Sequence, residues 1–469
     1  MRRPVIALLV ALLLTAANSS RAAAPAPDIL GTRFAMQFRL GTLQRAVLGG
    51  GKIQHVIVIV QENRTIDNLF QGFAGADTVS YGMSGKQKKK LIAFPLQYAL
   101  DPDHGHTGFV TDYDGGALDG FDHGYVKQNC YHARPQCTAY AFVRHLDSAI
   151  YFALAKQYAL ADHVVQMNEG PSFANHVYMI AAQGGYPIAI AGNETEGAHG
   201  PGCMSPTDSR VQGIDLRQPF PYGLLTNPIP ACRDLRTVLG LLDGQGLSWR
   251  YYTPTLTQLQ QVTLNFWTPP IYIKYLYNHD LPHVVTTEVK ILSDIRNKAL
   301  RAVSYTAPTV VESDHPHQPA MNEDPQAGPH WVNSIVSAVA ASPVYRNNTT
   351  ILVTWDDWGG WYDHYVPPPQ FKYGLSANSY GFRTPLLVIS PYVIKRVDHT
   401  ARSQASIIRF IESVFGLPSL GVLDAQTDDL STMFDFSQPP HVYQEIGGSV
   451  ATQRFRGADV YPLHADPDE

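Results

Sequence analysis

Two short apolar runs constrain the fold of this chain more than any other feature. HVIVIV at residues 55–60 and TILVTW at residues 350–355 consist almost entirely of apolar and β-branched side chains. A strand with one face in water alternates apolar and polar residues, whereas a strand covered on both faces does not. Together with PLLVIS at residues 385–390, the two runs therefore predict buried strands of a parallel sheet.

Stretches with helical periodicity lie between and after these runs. The spacing of apolar residues predicts four helices, over residues 146–160, 173–183, 234–243 and 403–415. We expect Gly184 and Gly185 to stop the second of these helices. Ser403 is the expected N-cap of the last helix, and Gly416 its expected end. Strands that alternate with helices are typical of a layered α/β domain.

The composition is that of a globular protein and argues against a nucleic-acid partner. The chain is 45% hydrophobic and 16% charged, with a formal net charge of -5. Its basic run KQKKK, at residues 86–90, is expected to be a solvated loop. Because no repeat or low-complexity linker divides the chain, residues 25–469 are predicted to form one domain with insertions, least regular at about 190–330.

Residues 1–24 have the layout of a secretory signal peptide. Two arginines are followed by an apolar stretch from Val5 to Leu14 and by a run of small residues. A membrane anchor is the alternative, but this stretch is shorter than the ~20 residues of a spanning helix. No later segment is long and apolar enough to span a bilayer. The mature chain is therefore expected in the periplasm or outside the cell, without a membrane-spanning segment.

The chain has four cysteines, an even number that in an exported protein indicates disulfides. Their order along the chain suggests two local bridges, Cys130 to Cys137 and Cys203 to Cys232. A zinc site is the alternative. The sequence has no C-x-x-C pair, and the spacing lacks the regularity of a zinc finger, so disulfides are preferred.

Both apolar runs end in side chains that carry oxygen. Glu62 and Asn63 follow the first run after Gln61, and Asp356 and Asp357 follow the second. In parallel sheets ligands bind beyond the carboxyl ends of the strands. Buried carboxylates need a compensating cation, and these oxygens suit Mg²⁺, Ca²⁺ or Mn²⁺ and tolerate Zn²⁺. An ordinary helix cap, or an ion pair with a nearby arginine, is the alternative.

A serine and several histidines complete the candidate set. In NEGPSFANHVYMIAAQ, Pro171 and Ser172 stand where a helix begins, among free backbone N–H groups that suit a phosphate. A simple N-cap is the alternative role for this serine. The histidines in polar surroundings are candidates for acid–base or anion-binding roles, and they are His104, His106, His315, His317 and His364.

Several motifs of this chain, in their order, resemble those of the bacterial phosphoesterase family that contains phospholipases C and secreted acid phosphatases. ENRTIDNLF resembles the family's opening motif, GPSFAN its nucleophile motif, and WDDWGGWYDHYVPPP its second metal motif. The likeness runs from about residue 53 to about residue 417. It implies an alkaline-phosphatase-like α/β/α fold with a mostly parallel central sheet and one divalent metal ion.

The resemblance also implies roles for individual residues. It makes Glu62, Asn63, Asp356 and Asp357 metal ligands, and Ser172 both a ligand and the nucleophile. It makes His104 and His315 candidates for holding phosphate oxygens or serving the leaving group, with the choice between His104 and His106 open. Residues expected to support the ligands or to bind phosphate are Arg64, Asp67, His106, Asn175, Asp363 and His364.

Three functions remain open from the sequence. The preferred one is an exported acid phosphatase, because the family's phospholipases usually have threonine where this chain has Ser172. The second is a phospholipase C that acts on phospholipid, and the third is a non-catalytic, metal-stabilised binding protein of the same fold. Because all five expected ligands are present, an enzyme is favoured. The sequence makes no prediction of oligomeric state.

Overall fold

Buried strands form the centre of the protein. The computed structural model describes residues 47–446, except residues 98–99, 124–125, 128–137, 196, 219–222, 255–266, 310, 317–323, 325, 369–370, 374–375 and 379. The central sheet has eight strands. In chain order they are β1 (His55–Gln61), β2 (Ala159–Ala161), β3 (Trp249–Thr253), β4 (Val284–Thr286), β5 (Val303–Thr306), β6 (Thr349–Trp355), β7 (Leu386–Ile389) and β8 (Arg396–Asp398).

The strands of the central sheet lie in the order β4-β3-β5-β1-β6-β7-β2-β8. Every neighbouring pair is parallel except the two pairs that β7 makes, with β6 and with β2. The α/β class and the mostly parallel central sheet are thus confirmed. The run at 385–390 does form a fully buried strand, β7. The prediction that it runs parallel to its neighbours is wrong, because both of its pairings are antiparallel. Burial of both faces produces a continuous apolar run whichever way the strand points.

The described residues contain nine α-helices. They are α1 (Ile66–Leu69), α2 (His106–Tyr113), α3 (Ala149–Gln157), α4 (Ser172–Ala181), α5 (Val238–Gly244), α6 (Lys274–His279), α7 (Lys290–Arg296), α8 (Ala327–Ala341) and α9 (Ala405–Phe415). Helix α3 contacts α8, which also contacts α7, while α4, α5 and α9 contact one another. Two such groups are what a sheet with helices on both faces requires.

Several limits of the predicted helices differ from the structure. The helix predicted over residues 234–243 begins only at Val238. Helix α3 ends at Gln157, and the chain enters β2 at Ala159, inside the range predicted as helix. Helix α4 ends before the two glycines, because Ala182 already takes the left-handed conformation (φ 52°). The N-cap of α9 is Gln404, since Ser403 is engaged in a short strand. Gly416 ends α9 in the left-handed region (φ 65°), as predicted.

Shorter strands lie outside the central sheet. The antiparallel pairs are Tyr81–Ser84 with Gln87–Lys90, Asp101–Pro102 with Val126–Lys127, and Phe371–Tyr373 with Ser376–Asn378. The parallel pairs are Ile92–Phe94 with Ala141–Val143 and Val164–Val165 with Arg402–Ser403. A further antiparallel sheet contains Ile188–Thr195, Arg210–Asp215 and Ile229–Pro230. The basic run, expected as a loop, therefore forms one strand of a largely exposed hairpin.

A disulfide joins Cys203 to Cys232, as predicted. The other predicted bridge, Cys130 to Cys137, and the predicted signal peptide lie outside the described residues. Over the part of the chain that is described, no helix has both the length and the apolar character needed to cross a bilayer.

Candidate active site

The register of the two central strands brings the acidic motifs together. Gln61, at the end of β1, pairs with Trp355, at the end of β6, so the next residues of both strands leave the sheet side by side. The backbone N–H of Asn63 donates to Asp356 Oδ1 at 3.0 Å. Asn63 has a φ of 60°, a left-handed conformation that asparagine tolerates better than most residues. The strand ends therefore deliver their oxygens to one place.

The turn after β6 lies so close to the backbone that follows β1 that a glycine is required there. Gly359 also has a positive φ, of 63°, and a Cβ on it would lie 2.5 Å from the carbonyl oxygen of Asn63. Its N–H donates to Asp357 Oδ1 at 2.7 Å. The turn after β6 thus fixes one oxygen of Asp357 and directs the other towards Ser172.

Ser172 is the first residue of α4, and its hydroxyl faces the acidic cluster. The N-cap is Pro171, without a side-chain hydrogen bond, so the interpretation of Ser172 as an N-cap is wrong. Ser172 Oγ lies 3.0 Å from Asp357 Oδ2 and 3.1 Å from Asn63 Oδ1. The expected ligand set, Glu62, Asn63, Ser172, Asp356 and Asp357, is completely buried, with 0% exposure of each residue. We call these five residues the ligand cluster.

Two histidines lie against the opposite end of the Asn63 side chain. The Nε2 atoms of His104 and His315 lie 3.0 and 3.1 Å from the amide atom of Asn63 that points away from Ser172. His106 instead places its Nδ1 3.2 Å from Glu169 Oε1. Of the two histidines left open by the sequence, the structure therefore brings His104 to the ligand cluster.

A further histidine, His176, was not among the sequence-based candidates. It lies four residues after Ser172 on α4, and its Nε2 is 2.8 Å from Glu62 Oε1 and 3.7 Å from Asp356 Oδ2. The i, i+4 spacing from the serine on a predicted helix was the signal that could have found it. Glu62, His176 and Asp356 each offer a ligand atom, and these atoms lie within 4.8 Å of one another.

Three buried carboxylates, those of Glu62, Asp356 and Asp357, lie together in the ligand cluster. Burial, and then the neighbouring Glu62 carboxylate, raise the pKa of Asp356 well above its ordinary value. Carboxylate oxygens, an amide oxygen and a hydroxyl are the donors that hard divalent cations prefer, and a nearby imidazole widens the choice to Zn²⁺. The donor set therefore fits a divalent cation.

Comparison with known proteins identifies the family. The sequence profile of the phosphoesterase family matches residues 53–418. The chain belongs to the phosphoesterase family. This phosphoesterase is therefore a hydrolase that acts on phosphoester bonds.

Named relatives and one solved structure are similar to this phosphoesterase at low identity. Phospholipase C B of Mycobacterium tuberculosis is 24% identical over 445 residues, covering 83% of this chain and 79% of that protein. Non-hemolytic phospholipase C of Burkholderia pseudomallei is 23% identical, covering 84% of this chain and 60% of that protein. An alkaline phosphatase superfamily protein from Vibrio parahaemolyticus aligns with a TM-score of 0.35 at 10% identity, over 81% of this chain and 72% of that one.

An ion-pair network beside the ligand cluster joins three of the predicted supporting residues. Arg383 donates to Asp363 Oδ1 at 2.6 Å and lies 3.4 Å from Asp67 Oδ2. Although burial alone would raise the pKa of Asp363, the guanidinium of Arg383 holds it below its usual value. His364 Nδ1 lies 2.6 Å from Asp67 Oδ2, and this bond raises the pKa of His364 although burial opposes it. The network fastens the loop after β6 to α1.

The two remaining supporting residues, Arg64 and Asn175, bond mainly to backbone carbonyls. Arg64 donates to the carbonyls of Leu96 and Asp314. Asn175 donates to the carbonyl of Gly170 at 2.8 Å, which holds the turn that leads into α4. Both side chains shape the backbone that carries the ligands.

Gln61 and Asp314 connect β1 to the loop that carries His315. Gln61 accepts a hydrogen bond from the Asp314 N–H and donates to the Glu312 carbonyl, both at 3.0 Å. Burial raises the pKa of Asp314 to about 6, although its carboxylate accepts bonds from Tyr151 and Trp355. The final residue of the strand thus positions His315, a role that its sequence context did not indicate.

Proposed function

We propose that this phosphoesterase transfers the phosphoryl group of its substrate to Ser172 and then to water, with the ligand cluster holding one divalent cation. The observation that supports this most strongly is the position of Ser172 Oγ, within 3.1 Å of two oxygens of the ligand cluster at the start of α4. The cation supplies positive charge for the buried carboxylates and for the phosphoryl oxygens.

Chemistry in the first step takes place at Ser172. Its Oγ forms a bond to phosphorus while the bond from phosphorus to the leaving oxygen breaks. The proton of the hydroxyl passes to Asp357 Oδ2, which lies 3.0 Å away. Backbone N–H groups in the first turn of α4 stabilise the charge on the phosphoryl oxygens. The product of this step is phosphoserine.

In the second step water releases phosphate and restores Ser172. A bond forms from the water oxygen to phosphorus as the bond to Ser172 Oγ breaks, and the proton held on Asp357 Oδ2 returns to Oγ. His104 and His315 are the proposed proton carriers: one gives a proton to the leaving oxygen in the first step and takes one from water in the second. Their placement against Asn63 keeps both rings beside the ligand cluster.

The proposed substrate is a phosphate monoester, which makes this phosphoesterase an acid phosphatase. Serine at position 172, rather than threonine, supports this choice. Phospholipase C activity is the second candidate, because the named relatives are phospholipases C.

A panel of p-nitrophenyl phosphate, p-nitrophenylphosphocholine and phosphatidylcholine vesicles tests the choice of substrate. We expect release of inorganic phosphate from the monoester, and release of phosphocholine from the other two would make the protein a phospholipase C. Hydrolysis of none of the three by metal-reconstituted protein would contradict both.

We further propose that the protein is exported after removal of residues 1–24 and that residues 25–469 fold as one domain. The layout of the N-terminal segment and the disulfide at Cys203 support export, since such bonds persist in oxidising compartments. N-terminal sequencing of protein recovered from the periplasm or the medium tests the cleavage.

A further inference from the structure

A second group of side chains with the chemistry of metal ligands lies at the other end of the central sheet. It consists of Asp243, Asp280 and His283, which we call the edge cluster. Each residue offers a ligand atom, and these atoms lie within 4.8 Å of one another. Asp243 lies on α5, before β3, and His283 directly precedes β4. Because β3 and β4 run parallel to β1, the edge cluster lies near the starts of strands, whereas the ligand cluster follows the end of β1.

Each member of the edge cluster has one polar atom that is shielded from solvent and has no hydrogen-bond partner among the described residues. These atoms are Asp243 Oδ2, Asp280 Oδ2 and His283 Nδ1. Asp280 as a whole is only 9% exposed. Buried polar atoms in folded proteins nearly always have a partner, and burial without one costs free energy. The edge cluster therefore needs a partner that the described side chains do not supply.

Both carboxylates of the edge cluster lie where negative charge is unfavourable. Asp243 is in the last turn of α5, which contains no basic residue, and Asp280 is the C-cap of α6. The carbonyl groups at the end of a helix carry partial negative charge, so cations are preferred there. The two carboxyl groups also lie close to each other. A proton held between them would satisfy both but leave His283 Nδ1 without a partner, whereas a bound cation would satisfy all three residues.

Trp249, the first residue of β3, orients two members of the edge cluster. Its Nε1 donates to Asp243 Oδ1 at 2.7 Å, which leaves Oδ2 for another partner. Its ring packs edge-on against the ring of His283, with centroids 4.7 Å apart. The backbone N–H of His283 donates to the carbonyl of Asp280 at 2.8 Å, so one tight turn carries both side chains. Such contacts are what fixes the orientation of ligands in metal sites.

We propose that the edge cluster binds one divalent transition-metal ion, such as Zn²⁺, and that this ion stabilises the outer edge of the central sheet. Two carboxylate oxygens and an imidazole nitrogen are typical ligands of Zn²⁺, and water can take the remaining position. Strand β4 stands at the end of the strand order, next to β3. The ion joins α5 to the turn after α6, beside the starts of both strands. This structural role is independent of the proposed function.

The zinc content of the protein at buffered concentrations of free Zn²⁺ tests the proposal without substrate. The full, metal-stripped chain is dialysed to equilibrium, and its zinc is counted by inductively coupled plasma mass spectrometry. We expect two ions per wild-type chain, because the ligand cluster also binds a divalent cation. Asp280→Asn and His283→Gln should each bind one. Loss of a ligand should weaken binding by at least the 10- to 100-fold, roughly, that follows loss of a ligand's partner.

The Asp356→Asn background isolates the edge cluster, because its ligand cluster binds weakly. In that background Zn²⁺ should raise the Tm, and adding Asp280→Asn should abolish the rise. Asp280→Asn removes one of two neighbouring negative charges, so the metal-free variant is expected to fold, and His283→Gln provides a second variant. His399→Gln is the matched control. His399 also lies beside a carboxylate, but its Nδ1 already has a partner, Asp162 Oδ1 at 2.9 Å.

The outcomes separate this inference from the proposed function. Wild-type zinc content in both Asp280→Asn and His283→Gln would overturn the edge site, as would a wild-type chain whose single ion is lost in Asp356→Asn. A shared proton or water would then satisfy the edge cluster. Loss of an ion in His399→Gln would assign the second ion elsewhere and overturn it too. A single wild-type ion that is lost in Asp280→Asn but kept in Asp356→Asn would support the edge site and refute the metal proposed at the ligand cluster. A wild-type chain that binds no zinc would overturn the edge site.

Discussion

Replacing Asp356 by asparagine should weaken metal binding and at the same time stabilise the metal-free protein. The substitution keeps the shape of the side chain, and its Oδ1 can still accept from the Asn63 N–H, now at 3.0 Å. It removes one of two buried carboxylates whose repulsion, added to burial, raises the pKa of Asp356. The Asp356 carboxylate is therefore required for binding the cation, but it destabilises the metal-free protein.

The structure sets the direction and size of both effects. Asp356 is completely buried, and removing one partner of a buried charge pair costs about 3–5 kcal/mol. At 1.4 kcal/mol per decade, metal affinity should fall by about two to three and a half powers of ten. In the metal-free protein, a carboxyl with a raised pKa loses stability as pH rises above its ordinary value of 3.8. Asp356→Asn should remove that loss.

Titration calorimetry and thermal unfolding together measure the two effects. We expect weaker binding, loss of activity, and a higher Tm than wild type in a chelator at pH 7. Asp147→Asn is the matched control, because Asp147 is a buried carboxylate whose partners are Arg144 and the Leu96 N–H. Unchanged metal affinity and turnover in Asp356→Asn would refute the ligand assignment, and a lower metal-free Tm would refute the electrostatic argument.

Three further changes test the surrounding structure. Arg383→Lys should lower the unfolding free energy by about 3–5 kcal/mol in denaturant titration, because lysine cannot reproduce the planar contacts to the buried Asp363. Cys232→Ser should lower the unfolding free energy by about 3–4 kcal/mol, because the bridge closes a loop of 29 residues and its loss restores the entropy of the unfolded chain. Reducing the disulfide in the wild-type protein should lower the unfolding free energy by the same amount. Burial raises the pKa of Glu412 from 4.5 to about 8, so wild-type stability should fall between these pH values. In Glu412→Gln the fall in Tm from pH 5 to pH 8 should shrink, and an unchanged fall would contradict this origin.

The strands of the site were predictable from the sequence because burial on both faces leaves a local pattern. HVIVIV and TILVTW form β1 and β6 within a residue of their predicted limits. The direction of β7 was not predictable, because an apolar run is the same read either way. The limits of α3 were set by the chain entering β2, which depends on pairing with distant strands.

In the candidate site, too, some features were predictable from the sequence and others were not. The oxygens that follow β1 and β6 were predicted to meet, and the register of the two strands places them side by side. The contacts of His176 with Glu62, and of Gln61 with the loop before His315, join residues more than 100 positions apart. Sequence spacing puts His176 on the same face of its helix as Ser172, but it does not identify the distant partners in these contacts. The choice between His104 and His106 likewise depended on contacts with residues distant in sequence, Asn63 for His104 and Glu169 for His106.

Trapping of phosphoserine tests the central claim most directly. Metal-reconstituted protein mixed with p-nitrophenyl [³²P]phosphate and quenched in acid should carry label on the peptide that contains Ser172. Ser172→Ala should carry none and lose several powers of ten in turnover, with a Tm close to wild type because Ser172 is not the cap of α4. Ser172→Thr should keep part of the activity. Near-normal turnover in Ser172→Ala would contradict the account and assign the attack on phosphorus to water.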